Sequence, residues 1–405
     1  MAVTLLSHEV SDLCLGKPAL RSLSISSTTI ADALNALKIT GENYLSVWSC
    51  DHNLHHINNQ TQNIEDCRCI GKICMVDIVC FLSKEENLLN PSSALQSPVS
   101  SIISKVSGTI RHVEPHSSLL DAIDLILEGA QNLVIPIKSS IHQRKKLVQK
   151  QCLGSTTTLH NGHEFCWITQ EDVIRYLLNL IGLFSPIPAY SIESLGLIST
   201  DLHAVRYHDR ASSAIGSILD ALAKQTSVAV VDEDGILIGE ISPFTLACCD
   251  ETVTAAVTTL SAGDLMAFID CGGPPEDIMR VVKARLIEKK LEGMLDLLEE
   301  VQVPMTTSGS SSDEEFASSP TATLSSSNSR SGKYSRFGSY STRMVRRAEA
   351  IVCHPRSSLV AVMVQALAHR VNYVWVLEDD YSLVGIVTFS DMLKVFREHL
   401  PSIEK

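Results

Sequence analysis

One order of events recurs four times along this 405-residue chain: a short extended piece, a Ser/Thr-rich corner, an amphipathic helix, an apolar strand, a second strand and a closing helix. An internal repeat constrains the fold more than composition does, because each copy is one supersecondary unit that must be stacked on its fellows. The second and fourth units show it most clearly. Pro115-His116-Ser117-Ser118-Leu119 opens one and Pro355-Arg356-Ser357-Ser358-Leu359 opens the other, each directly ahead of an apolar helix. Proline fixes φ, and a serine hydroxyl can accept an orphan N–H of the following turn, so both segments read as helix starts. Thr28-Thr29-Ile30 makes the same corner in the first unit, and Asp209, before Arg210 and Ala211, is placed to cap in the third. Behind each corner apolar residues fall at helical spacing: Leu34 and Leu37, Ile123 and Ile126, Ile215 and Ile218, Met363 and Leu367.

The middle strands are Tyr44 to Trp48, Leu133 to Ile137, Val228 to Val231 and Val374 to Leu377. In the third unit Asp232-Glu233-Asp234-Gly235 leads into Ile236-Leu237-Ile238, a hairpin signal, and Asp379-Asp380-Tyr381 does the same in the fourth. The first two units carry insertions at this turn. Residues 50–69 are rich in His, Asn and Gln, residues 139–163 hold the basic run Arg144-Lys145-Lys146, and both read as solvated loops. A unit of ~60 residues buries too little to stand alone, so units should clasp sheet to sheet. The expected fold class is therefore α/β (α+β), with four βαββα units arranged as two tandem pairs and a break near Ser185-Pro186-Ile187-Pro188. The units are placed at residues 8–84, 97–185, 191–259 and 344–400. Residues 260–303 form the lead-in to the fourth unit plus an inserted amphipathic helix, and residues 304–343 a disordered Ser-rich linker.

Two further segments leave alternatives open. From Glu276 to Val303, Ile278, Val281, Val282, Leu286, Leu291, Leu295 and Leu298 lie between charges, as in an amphipathic helix that packs on the second pair or presents a face to a partner helix. In the linker, Ser310-Ser311-Ser312 before Asp313-Glu314-Glu315, and Ser335, Ser339 and Ser341 among Arg336, Arg343, Arg346 and Arg347, suit phosphorylation; a plain tether suits them equally.

Composition narrows the function classes. A net charge of −13 argues against a nucleic-acid binder, which needs a basic face. Twelve cysteines in so long a chain are not a disulfide framework and point to a reducing compartment. Met1 to Leu20 lacks the basic and apolar regions of a signal peptide, and no apolar run approaches the ~20 residues that span a bilayer, so a cytoplasmic location is expected. Cys50, His52, His55, His56, Cys67 and Cys69 cluster around the first insertion, but Cys67-x-Cys69 stands alone, so no metal ligands are assigned. His163, Glu164 and Cys166 make a triad on paper only, because Cys166 holds the strand position given elsewhere to glycine; the chain reads as no enzyme.

The stretch Gly385-Ile386-Val387-Thr388-Phe389-Ser390-Asp391 closely resembles the Gly-aliphatic-aliphatic-Thr/Ser-x-x-Asp signature that ends a CBS domain, and Asp264-Leu265-Met266 resembles the element that precedes one. The first unit reads Gly71-Lys72-Ile73-Cys74-Met75-Val76-Asp77, with Cys in the Thr place. The second, Cys166 to Asp172, keeps Thr169 and Asp172 but loses the glycine; the third, Gly239 to Thr245, lacks the acid. Outside the linker the chain is similar to plant proteins built only of CBS domains in two Bateman modules, relatives of the gamma subunit of AMP-activated protein kinase.

That resemblance implies an adenosine nucleotide (AMP, ADP or ATP) in the cleft between paired units, with no other cofactor. The carboxylate would accept the ribose hydroxyls and the Thr hydroxyl would bond near the α-phosphate. Carried over, the candidates are Thr388 with Asp391, Thr169 with Asp172, and Asp77. His369 and Arg370, with Arg206 and His208, are candidate phosphate contacts or ordinary helix-end cations. The implied function is a regulatory protein that senses nucleotide and modulates a partner, either a kinase complex or a thioredoxin-like protein. The alternative is an interaction scaffold that binds no nucleotide. A homodimer is expected by analogy, and no nucleic acid or membrane.

Overall fold

The computed structural model describes residues 8–50, 67–103, 109–137, 159–160, 162–270, 275–300 and 349–399. The Ser-rich linker, its candidate phosphorylation sites and most of both insertions lie outside the described residues.

The architecture follows the repeat. Four three-stranded sheets form, from β1 (Ser22–Ser24), β2 (Leu45–Trp48) and β3 (Cys69–Ile73), from β4 (Ile110–His112), β5 (Asn132–Ile137) and β6 (Glu164–Thr169), from β7 (His203–Arg206), β8 (Val228–Val231) and β9 (Leu237–Ile241), and from β10 (Val352–Cys353), β11 (Tyr373–Leu377) and β12 (Leu383–Thr388). In each sheet the first strand runs parallel to the second and the third returns antiparallel, as a helical crossover followed by a hairpin requires. The opening helices are Ile30–Thr40, Leu119–Leu127, Ile215–Lys224 and Leu359–His369. Their starts are capped where hydroxyls were expected: Thr29 accepts from the Asp32 amide, Ser118 from Asp121 and Ser358 from Ala361. Asp209 is a correction. A 3-10 turn, Ala211–Ala214, precedes the third helix, and the Asp209 carboxylate turns back to the Arg206 amide at 3.3 Å.

Within each pair the lead-in of one unit is bonded to the corner of the other. The Val10 amide donates to Ser117 O at 2.9 Å, and the Ile30 amide to Ser97 O at 2.9 Å. In the second pair the Ile192 amide donates to Ser357 O at 2.9 Å and the Ala211 amide to Leu260 O at 3.0 Å. Residues 260–262 thus serve the fourth unit just ahead of Asp264-Leu265-Met266.

The helices pack in the other sense. One core joins Leu34, Leu37 and Ile78 of the first unit to Ile218, Ala221 and Leu246 of the third; another joins Ile123, Ile126 and Ile174 of the second to Met363, Leu393 and Phe396 of the fourth. Ion pairs close both helix joints: Lys38 with Glu251, and Arg397 with Asp124 through two bonds of 2.6 and 2.9 Å.

The inserted amphipathic segment is two helices, Glu276–Glu288 and Glu292–Glu300, where one was expected. The chain breaks at Lys290, which takes φ 57, and the Leu291 amide closes on Leu286 O at 3.0 Å. This left-handed terminator swings Leu291 back, so that it joins Val282, Leu286, Met294 and Leu298 in the core shared by the first and third units. The apolar stripe therefore packs on both pairs. No helix among the described residues is long and apolar enough to cross a membrane.

The signature glycine of the fourth unit has a steric cause. Ser199 and Ile386 exchange two backbone bonds of 2.9 Å, and a Cβ on Gly385 would lie 2.5 Å from Ser199 O and 2.7 Å from Ile198 Cγ2. Gly385→Ala is expected to lower stability by about 1–3 kcal/mol, because a backbone oxygen cannot swing aside. Urea denaturation should show a lower midpoint at unchanged slope, while Gly216→Ala, on a helix face with nothing within 4 Å, should not.

Candidate functional site

Each third strand ends at the N-cap of the closing helix (Thr169, Thr388) or one residue before it (Ile73, Ile241), so the Thr-x-x-Asp residues fall on a helix N-terminus. In the fourth unit the Thr388 amide and hydroxyl both donate to Asp391 Oδ2, at 2.9 and 2.7 Å, and the Asp391 amide donates to Thr388 Oγ1 at 3.2 Å. The second unit repeats this geometry at Thr169 and Asp172, with distances of 2.8, 2.8 and 3.4 Å. Both are reciprocal capping boxes. The motif is thus a folding device first, and what it offers a ligand is the carboxylate oxygen the cap does not use.

The unused oxygen, Oδ1, is alike at Asp391 and Asp172; the surroundings of the carboxylates differ. Asp391 Oδ1 makes no hydrogen bond or ion pair among the described residues. Lys17, from the lead-in of the first unit, places its ammonium 2.7 Å from Asp172 Oδ2, the oxygen that the cap already uses, and so pairs the charge of that carboxylate while leaving its Oδ1 without a bond among the described residues. Asp77 accepts from the Cys74 amide at 2.8 Å. Burial holds its carboxyl above the ordinary range against the opposing pull of that amide, the Cys74 thiol and Lys72. In the third unit Ser242 Oγ accepts from the Phe244 amide, with Thr245 in the place of the acid.

The expected phosphate contacts are not assembled. His369 and Arg370 are exposed at the end of their helix, with Arg370 at φ 55 as its left-handed cap, and neither bonds to Thr388 or Asp391. Cations there complement the helix dipole. Arg206 faces Glu233 at 3.5 Å on the surface, and His208 meets the edge of the Tyr207 ring.

The seams between sheets hold residues that the sequence analysis did not single out. Asn132 stands opposite Thr169 in the second unit, and Tyr373 opposite Thr388 in the fourth. Across the first seam Asn132 Oδ1 accepts from Lys72 Nζ at 2.7 Å, and that ammonium also sits 4.8 Å from the centre of the Tyr44 ring. Across the second, Tyr373 OH donates to Glu240 Oε1 at 2.8 Å, and Trp375 Nε1 to Glu240 Oε2 at 2.7 Å. Lys72 and Glu240 occupy the same register, two residues before Cys74 and Ser242. One position thus carries opposite charge in the two pairs. Burial lowers the Lys72 ammonium, and burial together with the Glu240 charge raises the Tyr373 phenol far above its usual range. The signal in the sequence was a lone charge inside an apolar strand, at Lys72 in β3 and Glu240 in β9.

Of the cysteines and histidines around the first insertion, Cys50 and Cys67 meet each other, while Cys69 turns its thiol to Gly71 O at 3.4 Å. His52, His55 and His56 lie outside the described residues.

Comparison with known proteins gives the following. The family model "CBS domain" matches residues 343–398. The CBS domain-containing protein CBSX5 of Arabidopsis thaliana is 50% identical over 99% of this chain and 99% of its own length. The SNF1-related protein kinase regulatory subunit gamma-like protein PV42b of the same plant is 20% identical, over 82% of this chain and 77% of its own. Among solved structures, protein MJ1225 of Methanocaldococcus jannaschii, described as an archaeal homolog of the AMPK gamma subunit, aligns with 96% of this chain and 100% of its own. Its TM-score is 0.51 at 16% identity, a likeness of fold.

Proposed function

The chain belongs to the CBS domain-containing proteins, and we propose that it is a regulatory protein that reads an adenosine nucleotide through one site, at Thr388 and Asp391. The observation that carries this reading is the uncommitted Asp391 Oδ1 beside a closed cap. A carboxylate oxygen held rigidly by a helix N-terminus is a ready acceptor for vicinal ribose hydroxyls. The charge of Asp172 is paired by Lys17, burial raises the Asp77 carboxyl above its ordinary range, and the third unit has no acid, so one nucleotide per chain is the expected stoichiometry.

Occupancy has a direct route into the fold. Thr388 is the strand neighbour of Tyr373, and Tyr373 is tied to Glu240 of the third unit. A nucleotide that shifts Thr388 changes the seam, and a protein partner reads the change as differential affinity. The gamma-like name of the PV42b relative puts a kinase complex first among partner classes, ahead of a thioredoxin-like protein. A second reading, a scaffold that binds no nucleotide, has its own support: Tyr373 and Trp375 are 3% and 0% exposed and fill the seam beside Thr388.

Calorimetry of the full chain with AMP, ADP and ATP separates the two. Expected is one site whose affinity falls about 10–100-fold in Asp391→Asn, the worth of a charge-assisted hydrogen bond, and holds in Asp172→Asn. The asparagine oxygen can still cap the helix, so the variant tests the ligand contact and not the fold. No heat with any of the three at millimolar concentration leaves the scaffold. Binding that survives Asp391→Asn removes the assigned site.

A further inference from the structure

We infer that Cys50, Cys67 and His160 form a site for a divalent metal ion of the zinc class. Cys50 ends the hairpin arm that continues β2, and Cys67 begins the arm that leads into β3. The Ser49 amide donates to Arg68 O at 2.9 Å, which sets the two cysteines side by side at the base of the first insertion. His160 comes from the end of the second insertion, 110 residues from Cys50. The three ligand atoms converge: Cys50 Sγ and Cys67 Sγ are 2.9 Å apart, and His160 Nδ1 is 3.2 Å from the first and 3.1 Å from the second.

The histidine is held as a metal-binding imidazole is held. Its ring is 2% exposed and stacks on Trp48 at 3.5 Å with a 6° interplanar angle. Nε2 lies 2.7 Å from Ser22 Oγ. With the Nε2 proton donated to that hydroxyl, Nδ1 is the bare nitrogen, and it is the atom that faces both sulfurs. An outer hydrogen-bond partner able to take that proton is the usual companion of a ligating histidine.

A tetrahedral zinc holding two thiolates at about 2.3 Å would set the sulfurs about 3.8 Å apart. Binding therefore opens the present 2.9 Å pair by a little under an ångström. A disulfide would close it by a similar amount, but it would leave the equidistant imidazole without a role. Two thiols and a neutral imidazole give a Cys₂His set; metal entry releases the two thiol protons to solvent, and the fourth position is open to a further donor. The ion would fasten the bases of the two insertions to each other across the first seam, independently of any nucleotide in the second pair.

The test is metal content of the full chain purified with a non-thiol reductant. About one zinc per chain is expected, falling to background in Cys50→Ser, Cys67→Ser and His160→Asn and retained in Cys248→Ser, an exposed cysteine elsewhere. Since His160→Asn disturbs a buried stack, cobalt(II) added to the metal-free wild-type protein gives a readout that needs no variant. Thiolate-to-cobalt charge transfer in the near ultraviolet, with intense visible bands of a tetrahedral ion, is the expected spectrum. Its absence, or zinc that stays at full occupancy in Cys50→Ser and Cys67→Ser, overturns the assignment. So does a Cys50–Cys67 disulfide found in metal-free protein kept under the same reductant.

Discussion

Glu240→Ala is expected to lower the unfolding free energy of the chain by about 2–6 kcal/mol, since each buried donor left without an acceptor costs about 1–3 kcal/mol. Glu240 is 5% exposed and accepts from both Tyr373 OH and Trp375 Nε1. Alanine orphans two donors at once, on residues that are 3% and 0% exposed. Glu240→Gln keeps the shape and one carbonyl acceptor and should lose distinctly less. Urea denaturation measures both. A double-mutant cycle with Tyr373→Phe should give a coupling within about 0.5–3 kcal/mol, the span for residues in one hydrogen-bond network. A loss under 1 kcal/mol for Glu240→Ala, or additive effects in the cycle, would mean that the seam is wet and the tie idle.

The second large effect is expected at Trp48, fully buried at the first seam. Its indole N–H donates to Ser46 Oγ at 2.8 Å; one face covers His160, and the ring meets His112 at 5.7 Å and Phe165 at 5.0 Å. Those neighbours come from the second unit, so this ring is the main apolar bridge between the first two sheets. Trp48→Ala removes the ring and leaves a cavity that the strands cannot close, at a cost of about 3–5 kcal/mol. Trp48→Phe restores most of the volume and should recover much of the loss. Chemical denaturation followed by circular dichroism measures the pair and keeps the readout independent of the remaining tryptophans. Equal losses in the two variants would show that the indole N–H, and not the packing, matters there.

What the sequence made legible is what local chemistry decides. Thr29, Ser118 and Ser358 announce helix starts because a cap bonds within three residues. The hairpin turns at Asp232 and Asp380 do likewise: Asp232 Oδ1 accepts from the amides of Asp234 and Ile236, and Asp380 Oδ1 from that of Ser382. Asp209 does not cap because the corner Ala211-Ser212-Ser213-Ala214 forms a 3-10 turn that moves the helix start beyond its side chain's reach. The candidate site was half legible. Thr388 and Asp391 stand where the signature places them, yet nothing local says that Lys17 reaches Asp172 across 155 residues, or that Trp375 bonds Glu240 across 135. Those contacts depend on how one unit registers against another, and a periodicity of two or of 3.6 carries no information about that. The same holds for His160, whose partners lie in a different unit.

The two senses of packing have a mechanical outcome. The first unit joins the second by sheet and lead-in, the second joins the fourth by helices, the fourth joins the third by sheet, and the third returns to the first by helices. Four bodies coupled in this way form a closed ring, braced across its diagonal where Gln131 of the second unit donates to Ala223 O of the third. The Glu240 and Lys72 ties are joined across this ring: Gln225 accepts from Asn372 Nδ2, beside Tyr373, at 2.8 Å and donates to Gln131 O, beside Asn132, at 3.3 Å, so a displacement at one seam has a hydrogen-bonded path to the other.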